Sequence, residues 1–184
     1  MDNLVTLKPV RHIFLIGFMG CGKSTIGRLL AHELGWQFVD LDEEIVRQEN
    51  MSIEQIFDQH GEPYFRRVEV NLLQQLLGRE QVVIALGGGT PTQESAWPIL
   101  AQGLLIYLRC HPDELYRRLK DGTGRPMLNR IAPAERPLFI RTLLNAREPY
   151  YRRATLTVDS FAQHTPQETA AIISQLIRAS LSIT

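Results

Sequence analysis

Short apolar runs alternate along the chain with longer stretches in which apolar residues recur at helical spacing. The run Ile13-Phe14-Leu15-Ile16 predicts a first strand over His12–Ile16. In Lys23–Leu34 the positions Ile26, Leu29, Leu30, Ala31 and Leu34 share one helical face, and Gly35 marks the end. Gln37–Asp40 predicts a short second strand. Glu43–Gln48 continues as helix, with Asn50 in the left-handed turn after it. Ser52-Ile53-Glu54-Gln55 is a capping box that opens another short helix. Pro63 suits the first turn of a longer helix to Leu77, with Phe65, Val68, Leu72, Leu73 and Leu76 facing inward. Val82–Leu86, Leu104–Leu108 and Thr155–Asp159 predict three more strands, and Gln93–Ala101, Pro112–Leu119, Pro137–Glu148 and Pro166–Leu181 predict helices. Residues 121–136, rich in Gly, Pro and Arg, show no periodicity, and so long an irregular stretch in a compact domain suits a lid. The alternation of strand and helix, with no internal repeat or linker, predicts an α/β fold. A parallel sheet carries helices on both faces in a single domain over residues 1–184.

The first strand runs directly into Gly17-Phe18-Met19-Gly20-Cys21-Gly22-Lys23-Ser24-Thr25. This is the G-x-x-x-x-G-K-[ST] phosphate loop, in the strand-to-helix context it requires. Its glycines let successive backbone N–H groups turn inward toward phosphate oxygens, and the helix start adds its positive end. Lys23 then reaches the outer phosphates, and the Ser24 hydroxyl can ligate Mg²⁺. Asp40-Leu41-Asp42 closes the second strand at the sheet edge where α/β folds bind ligands. Were the strand to continue, Asp40 and Asp42 would point the same way, Asp40 toward a metal through water and Asp42 toward a hydroxylated substrate. The alternative is that Asp42 caps the next helix. Arg66 and Glu69 sit three apart on one helix, so Glu69 can fix the Arg66 fork for a ligand carboxylate or form an ordinary surface pair. Gly87-Gly88-Gly89 ends the third strand and leaves its backbone open to a small polar ligand.

Composition is that of an ordinary globular chain, with 44% hydrophobic and 22% charged residues and zero net charge. No apolar run reaches membrane-spanning length, and Met1 to Arg11 lacks the apolar stretch of a signal peptide, so a cytoplasmic protein is expected. Two cysteines, Cys21 and Cys110, make no disulfide framework, and Cys21 is read as a small filler within the loop. Charge is uneven along the chain. Between Asp40 and Glu62 there are eight acids and one Arg, and between Arg117 and Arg153 ten Arg or Lys and three acids. The second stretch suits arginines closing over a triphosphate better than a nucleic-acid surface.

Taken in order, Gly17–Thr25, Asp40-Leu41-Asp42, Phe65-Arg66-Arg67-Val68-Glu69, Gly87-Gly88-Gly89, Arg125-Pro126-Met127-Leu128 and Arg147-Glu148-Pro149-Tyr150-Tyr151 resemble the motif set of the shikimate kinases. The likeness runs from about Arg11 to Ile177. It implies a nucleoside-monophosphate-kinase-like sheet in the order 2-3-1-4-5 and transfer of the ATP γ-phosphate to the 3-hydroxyl of shikimate, with Mg²⁺ as cofactor. By resemblance, the ATP site comprises Gly20, Cys21, Gly22, Lys23, Ser24 and Thr25, with Arg118 on the adenine face and the lid arginine Arg125 on the γ-phosphate. Ser24 and, through water, Asp40 match the metal positions. Asp42, Arg66, Gly87, Gly88, Gly89 and Arg147 match the shikimate site, and Lys23, Asp42 and Arg125 the catalytic positions. The substrate subregion covers about residues 41–78 and the lid about 121–136. Met127 stands where Leu is usual in the lid motif, and Asn50 where Gly is frequent. The expected partners are ATP and shikimate alone, with a monomeric chain, no nucleic acid and no membrane. The rival readings are another small-metabolite kinase of this architecture, such as a gluconate kinase, and a nucleotide-binding module without catalysis.

Overall fold

A computed structural model describes residues 10–120, 128, 131–160 and 164–181. Five strands, β1 (His12–Ile16), β2 (Gln37–Asp40), β3 (Val82–Ala85), β4 (Leu104–Arg109) and β5 (Leu156–Asp159), form one sheet in the order β2-β3-β1-β4-β5. All four pairings are parallel. Phe14 of β1 lies beside Ile84 on one side and Leu105 on the other, so the central strand is covered along both edges. Burial on both faces explains why these strands read as continuous apolar runs rather than alternating ones.

Connection handedness places the helices. The step from β1 to β2 runs one way across the sheet and every later step runs the other way. Right-handed crossovers therefore put α1 (Lys23–Leu34) on one face and α2 (Leu41–Glu49), α3 (Ile53–Leu76), α4 (Trp97–Leu100), α5 (Pro112–Leu119) and α6 (Arg136–Tyr151) on the other. The last helix, α7 (Pro166–Leu181), returns to pack on α1, while α5 packs on α6.

Several boundaries differ from the expectations for physical reasons. The second strand stops at Asp40, and helix begins at once with Leu41. The two expected helices between Ser52 and Leu77 meet end to end in α3. They are separated by Gly61 at φ 77° and ψ 170°, a conformation that suits glycine, and Pro63 follows in the new first turn. The Ser52–Gln55 capping box forms with both of its bonds, at 3.2 and 2.8 Å. The single helix expected over Gln93–Ala101 is replaced by 3₁₀ turns at Thr90–Thr92 and Glu94–Ala96 and the one turn of α4. Pro98 has no N–H to give to a carbonyl one turn earlier. By contrast α6 continues past Glu148 to Tyr151, since Pro149 in the last turn forfeits only one bond. The expected lid falls mostly on residues 121–127, 129 and 130, which lie outside the described residues. Within that segment Leu128 is fully buried.

At the amino end of the sheet, remote from the loops that follow the strands, Gly103 fits closely against β1. A Cβ there would sit 2.7 Å from the His12 carbonyl oxygen and 2.7 Å from the Phe14 ring. Gly103→Ala is expected to lower the melting temperature by several degrees, from an overpacking cost of about 1–3 kcal/mol. Turnover at 25 °C should be unchanged, and thermal unfolding beside a rate assay checks both halves.

Candidate active site

The phosphate loop takes its shape from backbone positions that few side chains could share. Gly17 has φ 144°, and a Cβ on it would lie 2.7 Å from the Leu108 carbonyl oxygen of β4. Gly22, at φ 97°, is the N-cap of α1. The Lys23 ammonium lies across the loop and donates to the carbonyls of Gly17 (2.9 Å) and Phe18 (3.0 Å). Cys21 is fully buried, and its carbonyl accepts the Ser160 hydroxyl at the end of β5 (3.1 Å). The filler reading of this residue agrees with its burial. The thiol of Cys110 is also buried, which pushes its pKa up to about 11 and keeps it neutral. Thr25 is exposed on the first turn of α1.

Asp40 links the loop to the next element. Its Oδ2 accepts the Ser24 hydroxyl at 2.5 Å, and its Oδ1 accepts the N–H groups of Asp42 (3.1 Å) and Glu43 (3.3 Å). Asp40, not Asp42, is therefore the N-cap of α2, which corrects the capping alternative considered for Asp42. It also replaces the strand-alternation argument for the pair, because Asp42 belongs to the first helical turn. The Asp42 carboxylate nonetheless points at the third strand's exit. A Cβ on Gly87 would meet Asp42 Oδ1, Glu69 Oε1 and Thr90 Oγ1 at 3.0, 3.0 and 3.1 Å.

Around the Gly87–Gly89 turn the expected residues converge. Arg66 donates through Nη1 to Glu69 Oε2 (2.6 Å) and through Nε and Nη2 to Glu62 (3.1 and 2.8 Å). Glu69 is fully buried, and its other oxygen takes the Thr90 hydroxyl at 2.6 Å. A Cβ on Gly89 would lie 2.7 Å from Arg66 Nη2. One on Gly88 would lie 3.2 Å from Arg147 Nη1 and 3.4 Å from the Gly17 carbonyl oxygen. Gly88 thus lies close to both the phosphate loop and Arg147. Arg147 has no carboxylate partner among the described residues; it lies one helical turn before Tyr151 and 6.0 Å from the Phe18 ring centre.

Arg118 of α5 donates to the Gly20 carbonyl (3.2 Å) and to Glu114 (2.6 Å). Hydrogen bonds from Arg117 and then Arg118 hold the Glu114 carboxyl down at about 2, so it remains a charged anchor across the neutral range. Arg125 lies outside the described residues. Beside α5 and α6, at the ends of β4 and β5, is a groove of about 310 Å³. Its Arg109 and Asp159 pair with each other at 2.6 Å.

Thr90, Glu114 and Tyr151 were not singled out for roles from the sequence. Thr90 follows the glycines directly, and Tyr151 lies four residues after Arg147, hence on the same helical face. Those spacings were the available signals.

Comparison with known proteins agrees with this geometry. The family model described as shikimate kinase matches residues 19–178. The chain is 44% identical over 154 residues to the shikimate kinase of Chlorobium limicola (strain DSM 245 / NBRC 103803 / 6330), covering 80% of this chain and 77% of that one. It is 38% identical over 173 residues to the shikimate kinase of Trichormus variabilis (strain ATCC 29413 / PCC 7937), covering 94% of each. The solved structure of the Acinetobacter baumannii shikimate kinase in complex with shikimate superposes with a TM-score of 0.85 at 36% identity, over 94% of this chain and 95% of that one. With a phosphate loop, a glycine turn and two arginines meeting at one sheet edge, and relatives of this name along nearly its whole length, the chain belongs to the shikimate kinase family.

Proposed function

We infer that this chain transfers the γ-phosphate of ATP to the 3-hydroxyl of shikimate, giving shikimate 3-phosphate and ADP. The observation that carries the reading is the position of Gly88, close to both the phosphate-loop carbonyl of Gly17 and the Arg147 guanidinium. A small acid held at that turn lies next to the end of a nucleotide triphosphate tail.

Phosphoryl transfer asks the protein for position and charge neutralisation more than for covalent participation. Lys23 would leave the carbonyls of Gly17 and Phe18 for the β- and γ-phosphate oxygens, with the amides of Gly20, Cys21, Gly22, Ser24 and Thr25 around them. Arg118 would cover the adenine, and Arg125 of the lid would reach the γ-phosphate. Arg66 and Arg147 would grip the shikimate carboxylate, a task that favours the planar guanidinium over an ammonium. Asp42 would accept a hydrogen bond from the attacking hydroxyl and take its proton late in a loose transition state, leaving the phosphoryl group bonded to the substrate oxygen and ADP as leaving group. The Gly87 and Gly89 backbones complete the substrate wall.

The metal position fits Mg²⁺. Ser24 Oγ and Asp40 Oδ2 are hard oxygen donors in contact at 2.5 Å, and the described residues hold no cluster of three acidic, His or Cys ligands. Mg²⁺ in kinases takes few protein ligands, keeps several waters and draws the rest from phosphate. Ser24 would hold it directly and Asp40 through water, and when bound it would neutralise charge on the β- and γ-oxygens. No helix among the described residues is long and apolar enough to cross a membrane. A cytoplasmic, monomeric enzyme acting on free metabolites, with no nucleic-acid or membrane partner, completes the reading.

The decisive assay is ADP release from ATP and Mg²⁺ with shikimate, with gluconate, and with neither. Release that depends on shikimate supports the reading. Release on gluconate alone would assign the related sugar-acid kinase, and no release on either would leave a nucleotide-binding module. Lys23→Met is expected to cut kcat by roughly 10²–10³ with circular dichroism unchanged. Arg147→Lys should raise the KM for shikimate about tenfold and leave the KM for ATP alone. Should ATP binding collapse instead, the carboxylate clamp is misplaced. For Asp42→Asn a loss in kcat on the order of 10²–10⁴ is expected in steady-state kinetics, and an unaltered kcat would remove Asp42 from the chemistry.

A further inference from the structure

Tyr151 is fully buried on α6, one helical turn beyond Arg147. Its hydroxyl donates to the Gly88 carbonyl at 2.6 Å, and a Cβ on Gly88 would lie 3.2 Å from Arg147 Nη1. One helix thus carries both the arginine and the hydroxyl that meet the middle of the glycine turn. The ring is itself held in place, because it packs at 5.1 Å on the Tyr107 ring. Burial raises the pKa of the Tyr151 phenol, so the group stays neutral and keeps the proton it gives to Gly88. The opposite end of the turn has a matching device. Thr90 donates to Glu69, and Glu69 accepts from Arg66.

We propose that Tyr151 is a positioning residue for the acid substrate, holding Arg147 and the Gly88 peptide at a fixed separation so that they meet the carboxylate side of the acceptor as one unit. A guanidinium fork binds a carboxylate well only over a narrow range of angles, and Gly88 has no side chain through which its peptide could be steered. Ordinary core packing would need only the ring. The bond from the hydroxyl to the glycine turn, beside Arg147, is what a packing role leaves unexplained.

This role rests on the shikimate reading above, and Tyr151→Phe separates it from packing. The variant keeps the ring against Tyr107 and removes only the hydroxyl. The KM for shikimate is expected to rise on the order of tenfold, with kcat within about threefold of the parent and the KM for ATP within about twofold. The preference for shikimate over its methyl ester, which has no carboxylate charge, should shrink by a similar factor. 4-Aminophenylalanine at position 151, which restores a donor at the same place, should recover most of the loss. Tyr107→Phe removes a hydroxyl from the same aromatic pair without touching Gly88, and should leave the shikimate KM unchanged. If the Phe variant is poorly folded, 4-fluorophenylalanine fills the hydroxyl's space and serves the same comparison. A shikimate KM within twofold of the parent overturns the proposal, as does a parallel rise in both KM values with a lowered melting temperature. A parent protein inactive on shikimate overturns the functional reading first and this role with it. An active parent with an unaltered variant leaves the function standing and removes only Tyr151 from it.

Discussion

Because every strand is parallel to its neighbours, every carboxyl end opens on the same edge of the sheet. Residues distant in sequence meet there with no further device. β1 delivers the phosphate loop, β2 delivers Asp40 and Asp42, and β3 delivers the glycine turn. With β1 at the centre and β3 beside it, the loop and the turn are adjacent by construction. The helices then aim side chains at this edge: Arg66 from α3, Arg118 from α5, Arg147 and Tyr151 from α6. Reversing one strand would send its functional group to the far end of the sheet.

Inside this frame the costly element is the carboxylate of Glu69, which has no solvent exposure. A buried carboxylate is tolerable only if it is paired and its lone pairs are filled. Here the Arg66 guanidinium and the Thr90 hydroxyl take one oxygen each. Gly87 contributes by omission, since a Cβ on it would fall 3.0 Å from the same carboxylate. Glu69 therefore ties α3 to the turn after β3. Removing Arg66 would leave a charge stranded in the interior, a larger penalty than the loss of an exposed ion pair, and removing the Thr90 hydroxyl would leave one buried oxygen unfilled.

Patterns that depend on neighbours in sequence were readable before the structure. The strands, the phosphate loop, the Ser52–Gln55 capping box and the Arg66–Glu69 pair all rest on spacings of a few residues, and all appear in the fold. What escaped depends on the third dimension. The cap on α2 went to Asp40 because the chain turns helical immediately after it. A strand drawn two residues longer makes Asp40 and Asp42 equivalent when they are not. Pro98 broke a helix that apolar periodicity alone supported. The buried hydroxyls of Thr90 and Tyr151 pair across separations of 21 and 63 residues, which no local pattern encodes.

The two arginines at the acceptor site are not equivalent, and the difference follows from their surroundings. Three of the five N–H groups of Arg66 are engaged by Glu62 and Glu69, and its charge is offset by theirs. Arg147, half-buried, pairs with no acid among the described residues and lies 6.0 Å from the Phe18 ring centre. On the proposed reaction, an incoming carboxylate would find at Arg147 a charge that no acid among the described residues pairs with. Arg66 contributes direction, because its fork is locked while its remaining N–H groups lie over Gly89. On the proposed reaction, this division places the acid end of the substrate by charge at one arginine and by geometry at the other. The hydroxyl side would then face Asp42 and the phosphate loop, an orientation that brings the acceptor oxygen to the terminal phosphate.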